Sequence, residues 1–217
     1  MRKLIRDIVI MGKKPVSSPW LTGGIPAANC IAAYNAKGAA SLAASYINLA
    51  NPGTYDLTEG AAPTWDVDNG WKGATGKYLK TGFTAVAGTW SAIVRFTTAT
   101  SIRQPFGCST ANKQWFVIPN YAFASTRYTI IATVRVTTPH AVDGVVAISG
   151  LQGYKEGIAD GDPVTGDPIA TDEIYILAPN NAGTPGTSYV GYVQAIWFYD
   201  IPIAPYIVGL TAAINAL

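Results

Sequence analysis

The sequence predicts a single all-β domain built from two facing sheets. Three observations predict this fold: apolar residues recur with a period of two, turn-forming sequences separate the periodic segments, and charged residues are scarce. Hydrophobic residues make up 49% of the 217 residues and charged residues 13%, while 22 Gly and 14 Pro supply turns. A chain of this length buries a sizeable core as one β domain without needing metal or disulfide staples.

Three segments show the alternation most clearly. Residues 90–97 alternate so that Trp90 and Phe96 share a face, which predicts a strand with one core face. Residues 127–138 repeat this pattern as one β-branched run, in which Val134 and Val136 share a face with Ile130. Residues 189–199 are apolar on both faces, which predicts a central or covered strand. Shorter candidate strands, separated by turn sequences, lie at residues 30–34, 77–82, 113–119, 145–150 and 173–179.

Two segments favour helix. The Ala-rich residues 37–53 end at Asn51-Pro52-Gly53, which fits one or two helical turns or a coil that mimics them. At the C-terminal end, Pro205 fits the first turn of a short helix, and apolar residues follow at helical spacing. These apolar residues are candidates for an assembly surface: Tyr206, Leu210 and Ile214.

The N-terminal residues 1–24 are predicted to form an extended docking arm. An apolar stripe supports this role and consists of Leu4, Ile5, Ile8, Val9 and Ile10. The alternative is a frayed terminus. Arg6 and Asp7 interrupt the apolar stretch and no small-residue cleavage pattern follows, which argues against a secretory signal. No run of about 18 apolar residues occurs, so a membrane partner is not expected.

Charge is distributed unevenly along the chain. Residues 1–14 contain five basic side chains and one acidic side chain, whereas the remainder contains ten basic and twelve acidic ones. The main body therefore lacks the basic field that nucleic-acid binding requires. The low charge density also leaves surface that could pack against copies of the chain itself. The two cysteines, Cys30 and Cys108, have no metal-ligand spacing, and we interpret them as buried thiols, with a disulfide as the alternative.

Nothing in the sequence forms a recognisable catalytic constellation. Glycoside hydrolases on β-sandwiches need two carboxylates that face each other, typically from a strand of the form E-x-D-x-E, and no such strand occurs. His140 is the one histidine and lies in a segment typical of a turn, where we interpret it as a surface residue. We therefore expect a domain that is not an enzyme.

Several motifs resemble the laminin-G-like family of concanavalin A-like lectin folds. PTWDVDNGWKGATGKYLKTG resembles the family's opening strands, and TWSAIVRF resembles the strand that follows. VDGVVAISGLQG resembles its strand–turn–strand unit, and GYVQAIWFYDIPIAPYIVGL its closing strand and terminal helix. The resemblance covers residues 25–217 and implies a two-sheet antiparallel jelly-roll sandwich. The segment CIAAYNAKGAASLAASYINLANPGTYD also resembles domains of bacteriophage virion proteins.

The resemblance implies a virion location and two kinds of partner. The first hypothesis is a structural virion protein, either a capsid decoration or a tail-associated subunit, that docks on other virion proteins through the arm. The second is a carbohydrate-binding adhesion module that recognises host or environmental glycans. Stacking on sugar rings requires aromatic faces near strand ends or loops, and core packing is the alternative for each such residue. The candidates are Trp71, Tyr78, Trp115, Tyr121 and Tyr154.

One loop could bind calcium. The loop IADGDPVTGDP places oxygen ligands at alternating positions, and members of the resembled family often hold Ca²⁺ at a sheet rim. The candidate ligands are Asp160, Asp162 and Asp167. The spacing departs from that of an EF-hand, and an ordinary Gly/Pro turn is the alternative. No other cofactor is expected.

Overall fold

The computed structural model describes residues 18–99, 103–121, 125–137 and 142–217. These residues form two antiparallel sheets that pack face to face, with a short helix at the C-terminal end, so the predicted sandwich is confirmed. The strands are β1 Cys30–Asn35, β2 Thr58–Ala61, β3 Thr64–Asp66, β4 Gly70–Gly73, β5 Tyr78–Ala87, β6 Ser91–Thr97, β7 Phe106–Thr110, β8 Lys113–Tyr121, β9 Ser125–Ile130, β10 Thr133–Val136, β11 Gly144–Ser149, β12 Gln152–Lys155, β13 Ile158–Ala159, β14 Ile169–Ile176, β15 Asn180–Asn181, β16 Thr184–Pro185 and β17 Gly191–Tyr199. The helices are α1 Leu42–Ser45 and α2 Ile207–Asn215, with 3₁₀ turns at Pro19–Leu21, Ala27–Asn29 and Ala204–Tyr206.

The strand order mixes distant parts of the chain in both sheets. Sheet I has the order β13-β12-β11-β6-β17-β4-β3, and β1 also pairs with β17. Sheet II has the order β10-β9-β8-β7-β14-β5-β2, and the small hairpin β15–β16 joins it at β7. Several strands that are consecutive in the sequence therefore lie in different sheets, and the chain passes repeatedly from one sheet to the other.

An aromatic cluster fills the space between the sheets. Phe198 of sheet I lies 5.1 Å from Phe83, 5.8 Å from Phe106 and 6.4 Å from Trp115, measured between ring centroids, and all three partners belong to sheet II. The contacts with Phe83 and Phe106 are edge-to-face, the arrangement that aromatic quadrupoles favour. This cluster binds the two sheets together at the centre of the sandwich.

A second hydrophobic layer covers the other face of sheet I. Helix α2 packs Leu210 and Ile214 onto this face, where they meet Ile93 and Trp197, and all four side chains are fully buried. The prediction that β6 has one core face is therefore wrong, because the helix buries Ile93 as well. The predicted C-terminal helix is confirmed, but Leu210 and Ile214 are used within the chain and are not exposed for assembly. Among the described residues, no helix is long and apolar enough to cross a bilayer.

The segment that leads into the sandwich packs on the same layer. Residues 18–24 fall within the predicted docking arm, yet Trp20 and Leu21 contact the second hydrophobic layer. The Tyr199 hydroxyl donates a 2.9 Å hydrogen bond to the Trp20 carbonyl, and Gly23 lies against the half-buried Tyr206. These residues are therefore part of the folded body. The apolar stripe from Leu4 to Ile10 lies outside the described residues.

Strand β17 is central and covered on both faces, as predicted, but its alternation is interrupted. The pairing with β6 shifts register between Val193 and Ala195. Gln194 is buried at this bulge, and its carbonyl accepts hydrogen bonds from the backbone N–H groups of Ala36 and Lys37. Because a bulge adds one residue, Val193 joins Phe198 in the inter-sheet core, whereas strict alternation places them on opposite faces.

The β-branched run at 127–138 forms a hairpin and not one strand. Strand β9 ends at Ile130 and β10 starts at Thr133, which are directly paired. Ile131 and Ala132 form the two-residue turn with φ of 54° and 59°. Both values belong to the left-handed region, which this type of turn requires and which Ile and Ala seldom adopt. Ile131 packs against the inter-sheet core, so tertiary burial favours a turn that the local sequence does not predict.

The Ala-rich segment contains one helical turn, in agreement with prediction. The Ser41 hydroxyl caps α1 by accepting a 3.0 Å hydrogen bond from the Ala44 N–H. The following loop is held by the buried Asn48, whose amide donates to the carbonyls of Ile31 and Thr54. This loop closes one end of the sandwich without further helix.

Both cysteines are buried free thiols, so the thiol interpretation is confirmed over the disulfide. Burial, assisted by Asp200, raises the pKa of Cys30 to about 12. Burial also raises the pKa of Cys108 to about 11. Because the thiolate is the reactive form, both sulfurs are protonated near neutral pH and act as small apolar side chains.

We predict that helix α2 contributes strongly to stability through its buried face. Leu210→Ala should lower the free energy of unfolding by about 2–5 kcal/mol, because it leaves a cavity in a layer that is fully buried. Val208 is 71% exposed on the same helix, and Val208→Ala should change the free energy by less than about 0.5 kcal/mol. Urea denaturation of both variants measures the difference. Similar losses for the two variants would contradict this packing.

Candidate functional site

Two of the five aromatic candidates lie inside the protein. Trp71 and Trp115 are both 0% exposed and belong to the inter-sheet core. The Trp71 indole N–H donates a 2.7 Å hydrogen bond to the Ser45 hydroxyl, so the one polar atom of this buried side chain has a partner. Neither ring presents a face to a sugar, so both are removed as glycan-binding candidates, and the core-packing alternative holds for them.

The other three aromatic candidates are half-buried and lie far apart. Tyr78 lies at the start of β5 on the outer face of sheet II. Tyr121 ends β8, with its ring 5.3 Å from the Arg127 guanidinium, and two strands, β7 and β14, separate β8 from β5. Three strand spacings amount to about 14 Å. Tyr154 packs against the second hydrophobic layer of sheet I, where burial raises its pKa. The structure therefore does not combine the three into one site.

Asp160, a calcium candidate, has a structural role in the described residues. Its carboxylate accepts hydrogen bonds from the hydroxyls of Tyr128 (3.0 Å) and Thr137 (2.6 Å) and lies 3.5 Å from the Lys155 ammonium. Tyr128 and Thr137 belong to the sheet II side and Lys155 to sheet I. Asp160 is 8% exposed, so this network links the two sheets along one open side of the sandwich. Burial and the neighbouring Asp160 raise the pKa of Tyr128, which stays protonated as the donor.

The other two calcium candidates do not join Asp160. The side chain of Asp162 is 91% exposed and lies 3.9 Å from Arg135. Asp167 is also exposed, further along the same loop. Within the described ranges, no three acidic, His or Cys side chains are grouped as metal ligands. The three carboxylates are therefore not brought together in the described residues, and calcium binding by this loop stays a prediction.

We predict that Asp160 stabilises the fold without metal. Asp160→Ala should lower the free energy of unfolding by about 2–4 kcal/mol, because it leaves buried donors without their acceptor. Asp162→Ala removes only an exposed ion pair and should cost less than about 1 kcal/mol. Thermal denaturation of both variants, with calcium and with a chelator, measures this. A calcium-dependent rise in the wild-type Tm that Asp160→Ala abolishes would restore the metal hypothesis.

A polar cleft lies at one end of the sandwich, beside the outer face of sheet II. Its volume is about 580 Å³, within the range of about 300–1,000 Å³ typical of small-ligand sites. Three connecting segments form it: the turn between β4 and β5, the residues before β7, and the chain around the β15–β16 hairpin. The lining residues are Thr75, Gly76, Arg103, Asn181, Pro185, Gly186, Thr187, Ser188 and Val190.

The hairpin wall of the cleft is fixed by hydrogen bonds to sheet II. Asn180 is buried, and its side-chain amide donates to the Glu173 carbonyl (2.8 Å) while its oxygen accepts from the Gly183 N–H (2.7 Å). The Thr110 hydroxyl accepts a 2.9 Å hydrogen bond from the Ala182 N–H. Gly186 passes so close to Pro179 that a Cβ would lie 2.7 Å from the proline Cγ. The wall is therefore a built structure that depends on glycine at this position.

A tyrosine pair adjoins this wall. Tyr78 and Tyr175 lie on neighbouring strands of sheet II with ring centroids 5.0 Å apart. The Tyr175 hydroxyl donates a 3.4 Å hydrogen bond to the carbonyl of Gly183, at the tip of the hairpin. The Tyr78 ring lies over Gly60 of β2, where a larger side chain would overlap it. Tyr175 is 2% exposed, whereas Tyr78 is half-buried and follows the cleft residue Gly76 by two positions in the sequence, so Tyr78 is the member of the pair that stays partly accessible.

The chemistry of the cleft is that of hydrogen-bond donors. Thr75, Thr187 and Asn181 supply hydroxyl and amide groups, and Arg103 supplies a guanidinium. Ser188 is 5% exposed, and its hydroxyl has no hydrogen-bond partner among the described residues. No Asp or Glu is among the described lining residues. The arrangement can bind a polar ligand, and it presents no carboxylate pair.

The sequence does not group these cleft residues into one site. The residues at 179–183 are typical of an ordinary turn, and Tyr78 is the one glycan-binding candidate close to the cleft residues in the sequence. One signal was available: residues 180–188 contain several Asn, Thr and Ser side chains and no charged ones. The contribution of Arg103 could not be found in this way, because it is distant in sequence.

Comparisons with known proteins identify the architecture. No protein-family model matches the chain, and no curated protein sequence matches it. Among solved structures, domain 4 of AbnA, a GH43 extracellular arabinanase from Geobacillus stearothermophilus in complex with arabinotriose, is similar over 84% of this chain and 98% of its own, with a TM-score of 0.58 and 13% identity.

Two further similar structures come from larger proteins. A mutant of Trypanosoma rangeli sialidase that displays trans-sialidase activity matches 88% of this chain, with a TM-score of 0.57 and 14% identity. A mutant of HCR/D matches 88% of this chain and 52% of its own, with a TM-score of 0.57 and 7% identity. The chain spans about a third of the sialidase's length (34%). At these identities, the similarity establishes an antiparallel β-sandwich fold.

Proposed function

We propose that this chain is a non-enzymatic, lectin-like domain that binds carbohydrate in the polar cleft at the end of the sandwich. The observation that carries the proposal is a cleft lined by neutral hydrogen-bonding groups, with the half-buried Tyr78 two positions after the lining residue Gly76. Sugars offer hydroxyls to hydrogen-bonding side chains and apolar C–H faces to aromatic rings. Asn181, Thr187 and Ser188 line the cleft, and Tyr78 lies two positions after its lining residue Gly76, so we expect one ligand to make both kinds of contact.

Two further observations support carbohydrate as the ligand. The AbnA domain, which this chain resembles over nearly that domain's whole length, was solved with arabinotriose, and a T. rangeli sialidase structure holds sialic acid. The buried Ser188 hydroxyl lacks a partner in the described part of the protein, and such a group favours a polar occupant or water nearby.

Binding without turnover is the form of activity that we propose. Glycoside hydrolysis generally uses two carboxylates on either side of the scissile bond. The lining of the cleft includes hydroxyls, an amide and a guanidinium, and its described members include no carboxylate. We therefore propose sugar binding for this chain, and we do not extend the sialidase and arabinanase activities of the similar proteins to it.

We predict that filling the cleft weakens glycan binding. Thr187 is exposed and lines the cleft, and Thr187→Trp should weaken binding of any glycan hit at least about tenfold by occupying its volume. Thr184 is exposed on the same hairpin without lining the cleft, so Thr184→Trp is the matched control and should bind normally. A glycan array with wild type, followed by calorimetry with both variants, provides the measurement.

Two results would refute this proposal. Wild-type protein that binds no glycan on the array would show that the domain is not lectin-like in function. Equal binding by Thr187→Trp and Thr184→Trp would place the sugar elsewhere on the domain. Unchanged thermal unfolding of both variants ensures that a loss of binding does not reflect a loss of fold.

For the virion role that the sequence resemblance implies, we propose docking through residues 1–14. This choice is supported by the burial of Leu210 and Ile214 against sheet I, which leaves these two predicted assembly residues unavailable to a partner. The apolar stripe from Leu4 to Ile10, with five basic neighbours, is the remaining candidate surface for contacts with other virion proteins or with copies of this chain.

We predict that deletion of residues 1–14 prevents incorporation into virus particles while the domain stays folded. The deletion removes the apolar stripe and leaves the packed segment from Ser18 onward intact. Particle incorporation is measured by quantitative mass spectrometry of purified virions, with Val208→Ala as a surface control that should incorporate normally. Normal incorporation of the deletion variant would overturn the docking role of the arm.

A further inference from the structure

We infer that the carbohydrate bound in the cleft is acidic, carrying a carboxylate or sulfate group that pairs with Arg103. This inference rests on the proposed function and specifies its ligand class. Arg103 bears the only charge among the described side chains that line the cleft. A ligand that enters the cleft therefore meets one fixed cation, surrounded by neutral hydrogen-bonding groups.

The surroundings reinforce this positive character. Lys77 directly follows the lining residue Gly76 in the sequence and is half-buried. Acidic side chains on neighbouring elements have partners of their own: Glu173 accepts a 2.9 Å hydrogen bond from the Gly82 N–H, and Asp143 accepts one of 2.6 Å from the Thr98 N–H. Neither carboxylate lines the cleft, so neither occupies the place of an anionic ligand there.

Guanidinium chemistry explains why Arg103 selects an anion. A guanidinium has five N–H donors in a planar fork that matches the two oxygens of a carboxylate or sulfate. Arg103 also takes part in an interaction within the chain, and its several donors allow it to hold a ligand in addition. Such a charge-assisted pair is roughly twice as strong as a hydrogen bond between neutral groups. A neutral sugar can use Asn181 and Thr187, whereas an acidic sugar gains the contact with Arg103.

The test compares matched acidic and neutral ligands. Oligogalacturonate and a neutral galactose oligosaccharide of the same length probe the carboxylate, and a sulfated galactose oligosaccharide probes the sulfate. Wild-type protein should bind at least one acidic ligand about tenfold more tightly than the neutral one. This preference should shrink as salt is raised, because screening weakens a partly exposed ion pair.

Substitutions test whether the preference for acidic ligands depends on Arg103. Arg103→Gln should reduce the ratio of acidic to neutral affinity to near one, because the guanidinium is the group that distinguishes the two ligands. Arg103→Lys should keep part of the ratio, because the charge remains and the planar fork is lost. Arg127→Gln is the matched control: Arg127 lies over Phe116 and Tyr121 away from the cleft, so the ratio should stay at the wild-type value.

The outcomes separate this inference from the proposed function. Equal affinity of wild type for acidic and neutral ligands, or an unchanged ratio in Arg103→Gln, overturns the acidic preference and leaves glycan binding in place. Absence of binding to every ligand overturns both. A stronger response to sulfate than to carboxylate, lost in Arg103→Gln, supports the inference and identifies the anionic group.

Discussion

Burial of strand β17 on both faces is the constraint on which the rest of the structure depends. Phe198 enters the inter-sheet core and contacts Phe83, Phe106 and Trp115 of the opposite sheet, while Trp197 faces the other way, beneath α2. The strand can occupy this position only if a second sheet covers one face and a helical layer covers the other. Residues of this strand belong to both hydrophobic layers, and burial of apolar surface is the dominant favourable contribution to folding.

The two-sheet arrangement also explains the role of Asp160 at the open side of the sandwich. A sandwich of two sheets has open sides, and one of them is closed by the loop that carries Asp160. Its carboxylate connects hydroxyls on the sheet II side with Lys155 of sheet I, so a group that resembles a metal ligand in sequence functions as a cross-link between layers. A buried charge of this kind is tolerated because its hydrogen bonds are satisfied.

A rigid sandwich also determines where binding can occur. The faces that pack against the other sheet or the helix are filled, so the surfaces left for a ligand are the outer sides of the layers and the connections at the ends. The polar cleft lies in such a region, and its wall is held by Asn180 and by the close approach of Gly186 to Pro179. Loops that are positioned by a fixed scaffold commonly carry binding functions in this way. The proposed selection of acidic sugars uses one cation, Arg103, placed in an otherwise neutral cleft.

Alternation and helical spacing are local properties of the chain, so the amino-acid sequence predicts the fold class, the position of most long strands and the short C-terminal helix. It favours buried thiols at Cys30 and Cys108 and leaves a disulfide open. The tertiary fold sets the bulge at Gln194, the turn at Ile131–Ala132, the burial of Trp71 and Trp115, and the assembly of the cleft from Arg103, Gly76 and Ser188. These features depend on which distant segments become neighbours. Periodicity shows that a side chain has a buried face, but the layer that covers that face comes from elsewhere in the chain.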